Sequence, residues 1–275
     1  MDRLFILGLG YSGLAIARAA KARGIVVAGT VTTPQKAAEL ARQGIDATIY
    51  DGSTPLAIEA SHLVCTAPAP RPPQFKAVPW IAYLSTTGVY GDRQGGWVDE
   101  TTEPAPSQPR SAERLQTERQ WQALAPNVAI LRLPGIYGPG RSAIDQVRAG
   151  TARRIDKPGQ VFSRIHVEDI ASAVLAAMEK RATGIYNVTD HLPAPNAEVI
   201  AHAFTLLGRP VPPAIPWAEA APSMSEMARS FYAESRRVRN DKMKRELGVV
   251  LKYPTYKEGL AVILSEAKDP SLRSG

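Results

Sequence analysis

The sequence predicts a doubly wound α/β fold, in which helices cover both faces of a parallel sheet, with a small C-terminal lobe for the substrate. Short apolar segments alternate with helical segments from residue 4 to residue 133. The first apolar segment, residues 4–7, passes directly into the pattern G-x-G-x-x-G. A helix of about ten residues and a second apolar segment, residues 25–30, then complete a βαβ unit, which is typical of a Rossmann sheet.

The glycine-rich turn is the first candidate site. Gly8 permits a sharp turn off the strand, Gly10 permits backbone N–H groups to approach a pyrophosphate, and Gly13 permits close packing of the next helix. The positive end of that helix points at the anion. With Tyr11 and Ser12, these glycines are the predicted residues for binding a dinucleotide. A glycine turn without a ligand is the alternative, and the flanking strand and helix count against it.

The end of the second strand bears on which dinucleotide is bound. NAD enzymes usually place an acid there for the ribose 2′-hydroxyl, and residues 30–36 contain none. Thr30, Thr32, Thr33 and Lys36 can accommodate a 2′-phosphate. The cofactor is therefore NADP or NAD, with NADP favoured, although an ordinary loop before a helix at residues 36–43 explains the same residues.

Further elements follow the same alternation. Strands are predicted at residues 46–50, 62–66, 80–84, 128–132 and 184–188, and helices at 111–124 and 166–178. Asp51 and Ala67 follow the third and fourth strands, at the sheet edge where ligands of such folds gather, and are assigned to cofactor binding. The link at residues 67–79 holds five prolines, so an extended crossover is expected in place of a helix.

Composition sets wider limits. The 275 residues carry a net charge of +7, and residues 229–252 hold eight basic and three acidic side chains. We interpret the charge of residues 229–252 as that of a solvated surface, and we expect residues 225–248 to be helical. A site for an anionic substrate is the alternative interpretation of the charge. No nucleic-acid motif, membrane span, secretion signal or metal site is recognised, so we expect a cytoplasmic protein. The single cysteine, Cys65, is expected in the core without a disulfide.

Five segments in the right order resemble the extended short-chain dehydrogenase/reductase family of NAD-dependent epimerases, dehydratases and reductases, and its atypical YeeZ-like members in particular. They are residues 8–13, 84–91, 131–140, 164–171 and 240–248. The resemblance covers the chain to about residue 262. It implies an oxidoreductase or epimerase that acts on a polar, possibly nucleotide-linked, small molecule.

The resemblance also implies roles for single residues. Thr86 corresponds to the family's catalytic Ser or Thr, which bonds the reacting oxygen of the substrate. In the family's Tyr-x-x-x-Lys register, Arg110 replaces the tyrosine and Arg114 replaces the lysine. Arg114 can still supply positive charge to the nicotinamide ribose. Arg110 cannot exchange a proton near neutrality, because the pKa of a guanidinium is above about 12.

Another proton donor is therefore needed for efficient hydride transfer. We assign Tyr137, and Tyr90 and His166 are alternatives, although each is also explained as a packed core side chain. If these groups do not act, the chain is a non-catalytic NAD(P)-binding redox sensor or regulatory protein. Five basic residues are candidate contacts for a substrate diphosphate, or are simply solvated: Arg141, Arg148, Arg153, Arg154 and Lys157.

The expected domains are interleaved along the chain. Residues 1–133 and 164–190 form the dinucleotide domain, residues 134–163 and 191–264 form the substrate lobe, and residues 265–275 form a disordered tail. Family members commonly pair as homodimers through a four-helix bundle that uses the helix before the fifth strand. The proline-rich link replaces that helix here, so the usual interface is in doubt.

Overall fold

The computed structural model describes residues 2–53, 56, 58–67 and 78–268. Its strands, in chain order, are β1 (Arg3–Leu7), β2 (Val26–Val31), β3 (Asp46–Ile49), β4 (His62–Cys65), β5 (Trp80–Thr86), β6 (Trp97–Val98), β7 (Val128–Leu133), β8 (Gly135–Tyr137), β9 (Ile155–Asp156), β10 (Arg164–His166), β11 (Gly184–Asn187), β12 (Ile215–Pro216) and β13 (Arg237–Val238). Its helices are α1 (Tyr11–Ala22), α2 (Pro34–Arg42), α3 (Pro109–Leu124), α4 (Ala143–Arg148), α5 (Val167–Glu179), α6 (Asn196–Leu206), α7 (Trp217–Ala220), α8 (Glu226–Phe231) and α9 (Tyr256–Lys268).

One parallel sheet organises the larger part of the molecule. In the described residues it has seven strands, in the order β3-β2-β1-β4-β5-β7-β11. The chain begins in the middle of the sheet and winds first to one edge and then to the other, so a crevice opens between β1 and β4 at their carboxyl ends. The predicted doubly wound fold is confirmed.

Both faces of this sheet are buried, because successive side chains of a strand point to opposite sides. In β1, Leu4 and Ile6 pack into the core that includes α1 and α5. Phe5 and Leu7 pack into the opposite core, which includes Trp121 of α3. The continuous apolar run of β1 therefore identifies a strand covered on both faces.

A separate apolar cluster lies in the C-terminal part of the chain. It brings together side chains of α4, α6 and α9, with Ile144, Ile200 and Leu260 at its centre. Helix α9 continues to Lys268, so the first four residues of the predicted tail are helical; residues 269–275 lie outside the described part.

The predicted helix at residues 225–248 is wrong. The short α8 forms, the chain then extends so that β13 pairs with β6, and a separate π-helical turn follows at Met243–Leu247. The backbone of Ser235 accepts hydrogen bonds from the N–H groups of Arg93 and Gly95, and its own N–H donates to Asp92. These long-range bonds satisfy the backbone without a helix and outweigh the local preference.

The structure also bears on the predictions for Cys65 and for the proline-rich link. Cys65 is fully buried within β4, and burial raises the pKa of its thiol to about 12, as expected of a core cysteine. Most of the proline-rich link, residues 68–77, lies outside the described residues, so its extended form stays a prediction. No described helix is both long enough and apolar enough to cross a membrane.

Candidate functional site

The glycine turn begins in a backbone conformation that favours glycine. Gly8 has φ +101° and follows β1 directly. Its N–H donates to Oγ1 of the buried Thr30 over 2.9 Å, and the N–H of Leu9 donates to the Thr30 carbonyl over 2.8 Å. A Cβ at Gly8 would lie 2.8 Å from Oγ1 of Thr66. The turn is thus fixed between the ends of β2 and β4.

The next two glycines differ sharply in their surroundings. A Cβ on Gly13 would lie 2.2 Å from the Gly8 carbonyl oxygen, so only glycine lets α1 pack this close to the turn. A Cβ on Gly10 would have no protein atom within 4 Å. Helix α1 begins at Tyr11, and no side chain caps its first turn. Open space beside the positive end of a helix suits a phosphate, so these residues fit the predicted dinucleotide.

The remaining cofactor candidates lie at the carboxyl edge of the sheet. Thr32 is exposed at the end of β2; Thr33 accepts the Lys36 N–H over 3.3 Å and caps α2, and the Lys36 ammonium pairs with Glu39 over 3.0 Å. Asp51 is exposed after β3 and accepts hydrogen bonds from Ser53, which lower its carboxyl pKa.

Ala67 lies directly behind the turn. Its N–H donates to the Leu7 carbonyl over 3.2 Å, and its Cβ would be 3.3 Å from a Cβ built on Gly8. Gly8, Thr32, Asp51 and Ala67 therefore follow four neighbouring strands, which places all of them at one edge of the sheet.

Two of the predicted catalytic residues, Thr86 and Arg114, meet at the end of β5. Thr86 accepts the Gly88 N–H at Oγ1 over 3.0 Å, and this bond caps a short turn at residues 87–90. Arg110 and Arg114 approach from α3, and all three residues line a cavity of about 460 Å³. A second cavity, of about 540 Å³, also includes Thr86 and Arg110. The Arg-x-x-x-Arg register places both arginines beside this threonine.

The two arginines have different partners. Arg114 is half-buried, donates from Nη2 to the Leu84 carbonyl and lies 5.0 Å from the centre of the Tyr83 ring. Arg110 is exposed, and its Cζ lies 4.5 Å from the centre of the Phe231 ring at the end of α8. Arg114 is therefore held against the sheet, and Arg110 reaches toward the C-terminal lobe.

The position of Tyr137 does not suit the predicted role of proton donor. This side chain is buried, its hydroxyl donates to the Thr255 carbonyl over 3.3 Å, and its ring packs beside Gly259. Burial raises the pKa of Tyr137 further above that of free tyrosine. It lines a neighbouring cavity but neither of the two that Thr86 lines.

The two alternatives are also built into the core. The Tyr90 hydroxyl is buried and donates to Oδ1 of Asn187 over 2.8 Å. His166 accepts the Glu168 N–H at Nδ1 over 3.3 Å, and burial lowers the pKa of its imidazole to about 4. Neither side chain lines the cavity beside Thr86. The interpretation of all three as packed side chains therefore describes them better than acid–base catalysis does.

A buried ion pair fixes α3 relative to the sheet. Glu118 on α3 accepts two hydrogen bonds from Arg132 on β7, over 3.1 Å to Oε1 and 2.8 Å to Oε2. Arg132 also lies 4.8 Å from the centre of the Tyr90 ring. Because α3 carries Arg110 and Arg114, this pair sets the position of both arginines.

The predicted diphosphate contacts are mostly engaged elsewhere. Arg153 donates to Ser223, Arg154 to two backbone carbonyls, and Lys157 to the Tyr232 carbonyl. Arg148 is exposed and lines neither cavity beside Thr86, so only Arg141 of the five faces the larger one.

Several cavity residues were not singled out from the sequence, although three of them lie in the basic segment 229–252, whose alternative interpretation was an anionic-substrate site. The six residues come from distant elements and loops that only the tertiary structure brings together: Ser111, Arg164, Asn196, Tyr232, Glu234 and Arg236. For Arg164, a place in a recognised family segment was the only pointer.

A parallel doubly wound sheet, a glycine turn at its crevice and a threonine at the end of β5 define a nucleotide-dependent short-chain dehydrogenase fold. Comparison with known proteins agrees. The model of the NAD dependent epimerase/dehydratase family matches residues 75–189. The chain is 32% identical over 218 residues to protein YeeZ of Escherichia coli, a match that spans 68% of this chain and 77% of YeeZ. The chain therefore belongs to this family.

Other relatives differ in how much of them the chain spans. A 3-diazoavenalumate denitrifying reductase of Streptomyces is 32% identical over 139 residues, which are 48% of this chain and 45% of the reductase. A conserved protein from Silicibacter pomeroyi has a solved structure with 42% identity and a TM-score of 0.87, covering 98% of this chain and all of that one. The human epimerase family protein SDR39U1, solved with NADPH, is 18% identical with a TM-score of 0.74. The superposition covers 96% of this chain and 99% of the human protein.

Proposed function

We propose that this protein binds NADP or NAD at the glycine turn and acts as an oxidoreductase or epimerase on a polar small molecule. The observation that carries the proposal is the open space at Gly10, next to the uncapped start of α1 and at the crevice of the sheet. A cavity that contains Thr86, Arg110 and Arg114 lies at the end of β5, on the same edge. The family membership supports the same function.

The residues of the cavity have different roles in this function. The Thr86 hydroxyl orients the reacting oxygen, because Oγ1 already accepts the Gly88 N–H and its own proton remains to be donated. Arg114 holds positive charge near the ribose of the nicotinamide. NADP or NAD, when bound, supplies or accepts the hydride. Without a tyrosine at position 110, the hydroxyl proton of an alcohol substrate would pass to solvent, and turnover would be slower than with a positioned acid–base group.

The cofactor assignment agrees with what related structures contain. The human epimerase family protein was solved with NADPH, and the UDP-glucose 4-epimerase of Thermus thermophilus, 19% identical, was solved with NAD. We favour NADP for this chain, because Thr32 and Thr33 follow β2, Lys36 lies in the first turn of α2, and residues 30–36 contain no acid for the ribose 2′-hydroxyl.

Changing Gly10 tests the site without disturbing the fold. Gly10→Asp should abolish NADP and NAD binding, because a carboxylate adds repulsion and bulk where the pyrophosphate approaches the backbone. Its thermal unfolding should stay close to that of the parent, since no protein atom lies within 4 Å of the new Cβ. Gly10→Asn is the matched control for charge and should bind more weakly than the parent but better than Gly10→Asp.

Calorimetric titration with NADP and NAD gives the result. Affinity for NADP should equal or exceed that for NAD in the parent. If Gly10→Asp binds NADP and NAD with the affinity of the parent, the assignment of the glycine turn to cofactor binding is wrong.

A second function, that of a non-catalytic redox sensor, is favoured by one observation. Arg110 stands where the family has its proton donor, and neither cavity beside Thr86 is lined by Tyr90, Tyr137 or His166. A sensor should bind the oxidised and reduced cofactor with markedly different affinities and show no turnover. Titration with NADP and NADPH, together with an assay for cofactor oxidation, distinguishes the two functions.

A further inference from the structure

We propose that Arg110 determines substrate specificity and selects a molecule with a flat apolar body and one oxyanion, a carboxylate or a phosphate. The inference rests on the proposed function, because it assigns the substrate class of the same site. The inference also narrows the range of substrates, because a nucleoside diphosphate would need a different set of contacts from a molecule with one oxyanion.

The larger cavity has an excess of positive charge. Four arginines and one glutamate line its volume of about 540 Å³: Arg110, Arg141, Arg164, Arg236 and Glu234. The glutamate is already engaged, because it pairs with Arg236 over 2.7 Å and accepts the Ser107 hydroxyl over 2.6 Å. Among the residues that the structure describes, no other carboxylate lines this cavity, so a neutral or cationic substrate would leave the charge uncompensated.

Two of the remaining arginines have other neighbours. Arg164 donates from Nη1 to the backbone carbonyls of Phe162 and Ala194, over 2.8 and 2.9 Å. Arg141 has its Cζ 5.8 Å from the centre of the Tyr11 ring, so it lies beside the glycine turn. Arg110 is left as the cation at the Thr86 end of the cavity.

Arg110 is arranged to receive an anion. Its guanidinium lies 4.5 Å from the centre of the Phe231 ring and forms no ion pair in the part of the chain that the structure describes. Contact with a ring restrains the guanidinium, and its N–H donors remain free to form a pair of bonds with one oxyanion. Phe231 is 55% exposed, so its ring is accessible to a ligand that pairs with Arg110.

The walls of the cavity favour a flat body. Phe162, Phe231 and Tyr232 contribute rings, and Pro134 and Ile136 contribute aliphatic surface. Phe162 packs edge-on against Tyr232 with 5.4 Å between ring centres, which fixes both rings. Fixed rings next to a restrained cation suit a planar molecule that carries one anionic group.

A nucleoside diphosphate fits these contacts less well. Of the basic residues between positions 141 and 157, only Arg141 faces the cavity, and it lies beside the glycine turn. Arg153, Arg154 and Lys157 already donate to protein acceptors. Within the cavity, Arg164 is bonded to two carbonyls and Arg236 to Glu234 and a carbonyl, so a second phosphate would have to reach Arg141 or compete with those bonds.

Binding of simple probes tests the proposal. The full chain, saturated with NADP, is titrated with benzoate, phenyl phosphate and uncharged benzamide by ligand-observed NMR. At least one of the two anions should bind about tenfold or more tightly than benzamide, which is the size expected of a hydrogen bond to a charged group. The anion that binds more tightly identifies the oxyanion as carboxylate or phosphate.

Variants assign that preference to Arg110. Arg110→Gln should remove it, whereas Arg119→Gln should keep it, because Arg119 is exposed on the same helix and does not line the cavity. Phe231→Ala should weaken all three probes, since each loses an apolar wall.

Three results would overturn the proposal: equal binding of the anions and benzamide, a preference that survives Arg110→Gln, or uridine diphosphate binding more tightly than either anion. The NADP titration in the same samples shows separately whether the proposed function fails. If it does, the probe titrations on the cofactor-free chain still decide the role of Arg110.

Discussion

The buried pair of Glu118 and Arg132 allows a quantitative test of how α3 is held. Glu118→Gln keeps the shape of the side chain and leaves the Arg132 guanidinium without an anion, in a site where the two side chains are 1% and 2% exposed. Removing one member of such a pair costs about 3–5 kcal/mol, because the remaining charge stays desolvated. In a chain of this size, a loss of that order lowers the unfolding temperature by roughly 10 °C.

The control is an ion pair of the same type on the surface. Lys36 and Glu39 lie 3.0 Å apart with side chains 34% and 48% exposed, so Glu39→Gln should change the free energy of unfolding by less than about 1 kcal/mol. Chemical denaturation of both variants gives the comparison. The double change Glu118→Leu with Arg132→Met should recover most of the loss, since it leaves no charge buried. A Glu118→Gln variant as stable as Glu39→Gln would refute the reasoning.

Three further predictions concern chemistry, pH and assembly. Arg110→Tyr combined with Arg114→Lys should rebuild a proton-transfer pair one helical turn apart and raise the rate of cofactor reduction with an alcohol substrate by up to about 100-fold; a variant that binds cofactor but never reduces it would favour the sensor. Burial raises the pKa of Asp190 from 3.8 to about 7, so the ionised carboxylate destabilises the fold increasingly as pH rises between those values. In chemical denaturation, the free energy of unfolding of Asp190→Asn should therefore gain on that of the parent over the same pH range. Light scattering should show no tight dimer built on α3, because the five prolines of residues 67–79 predict an extended link in place of the family's usual partner helix; a tight dimer centred on α3 would contradict this.

The parts of the molecule that could be predicted are those with a local pattern. Residues 8–13 specify the turn and its helix because Gly8 and Gly13 each meet a local steric demand, and the continuous apolar run of β1 is typical of a strand buried on both faces. The register of Arg110 and Arg114 comes from the resemblance to the family's Tyr-x-x-x-Lys segment, and helical spacing then places the two residues one turn apart on the same face.

The unpredicted parts depend on contacts between distant residues. The contact of Arg110 with Phe231 joins positions 121 residues apart in sequence, and the pairing of β13 with β6 converts an expected helix into extended chain. Tyr137 was a reasonable proton donor by position, yet the packing of α9 around it could not be inferred from its neighbours in sequence.

The opposite directions of Arg110 and Arg114 have an evolutionary consequence. One arginine is anchored to the sheet through the Leu84 carbonyl, and the other depends on a ring at the end of the short helix α8. Mutations in α8 can therefore remodel what the cavity accepts while the charge beside the sheet keeps its place. Descendants of this chain could acquire new substrates by drift in one peripheral helix, with no change in the part of the site that serves the nucleotide.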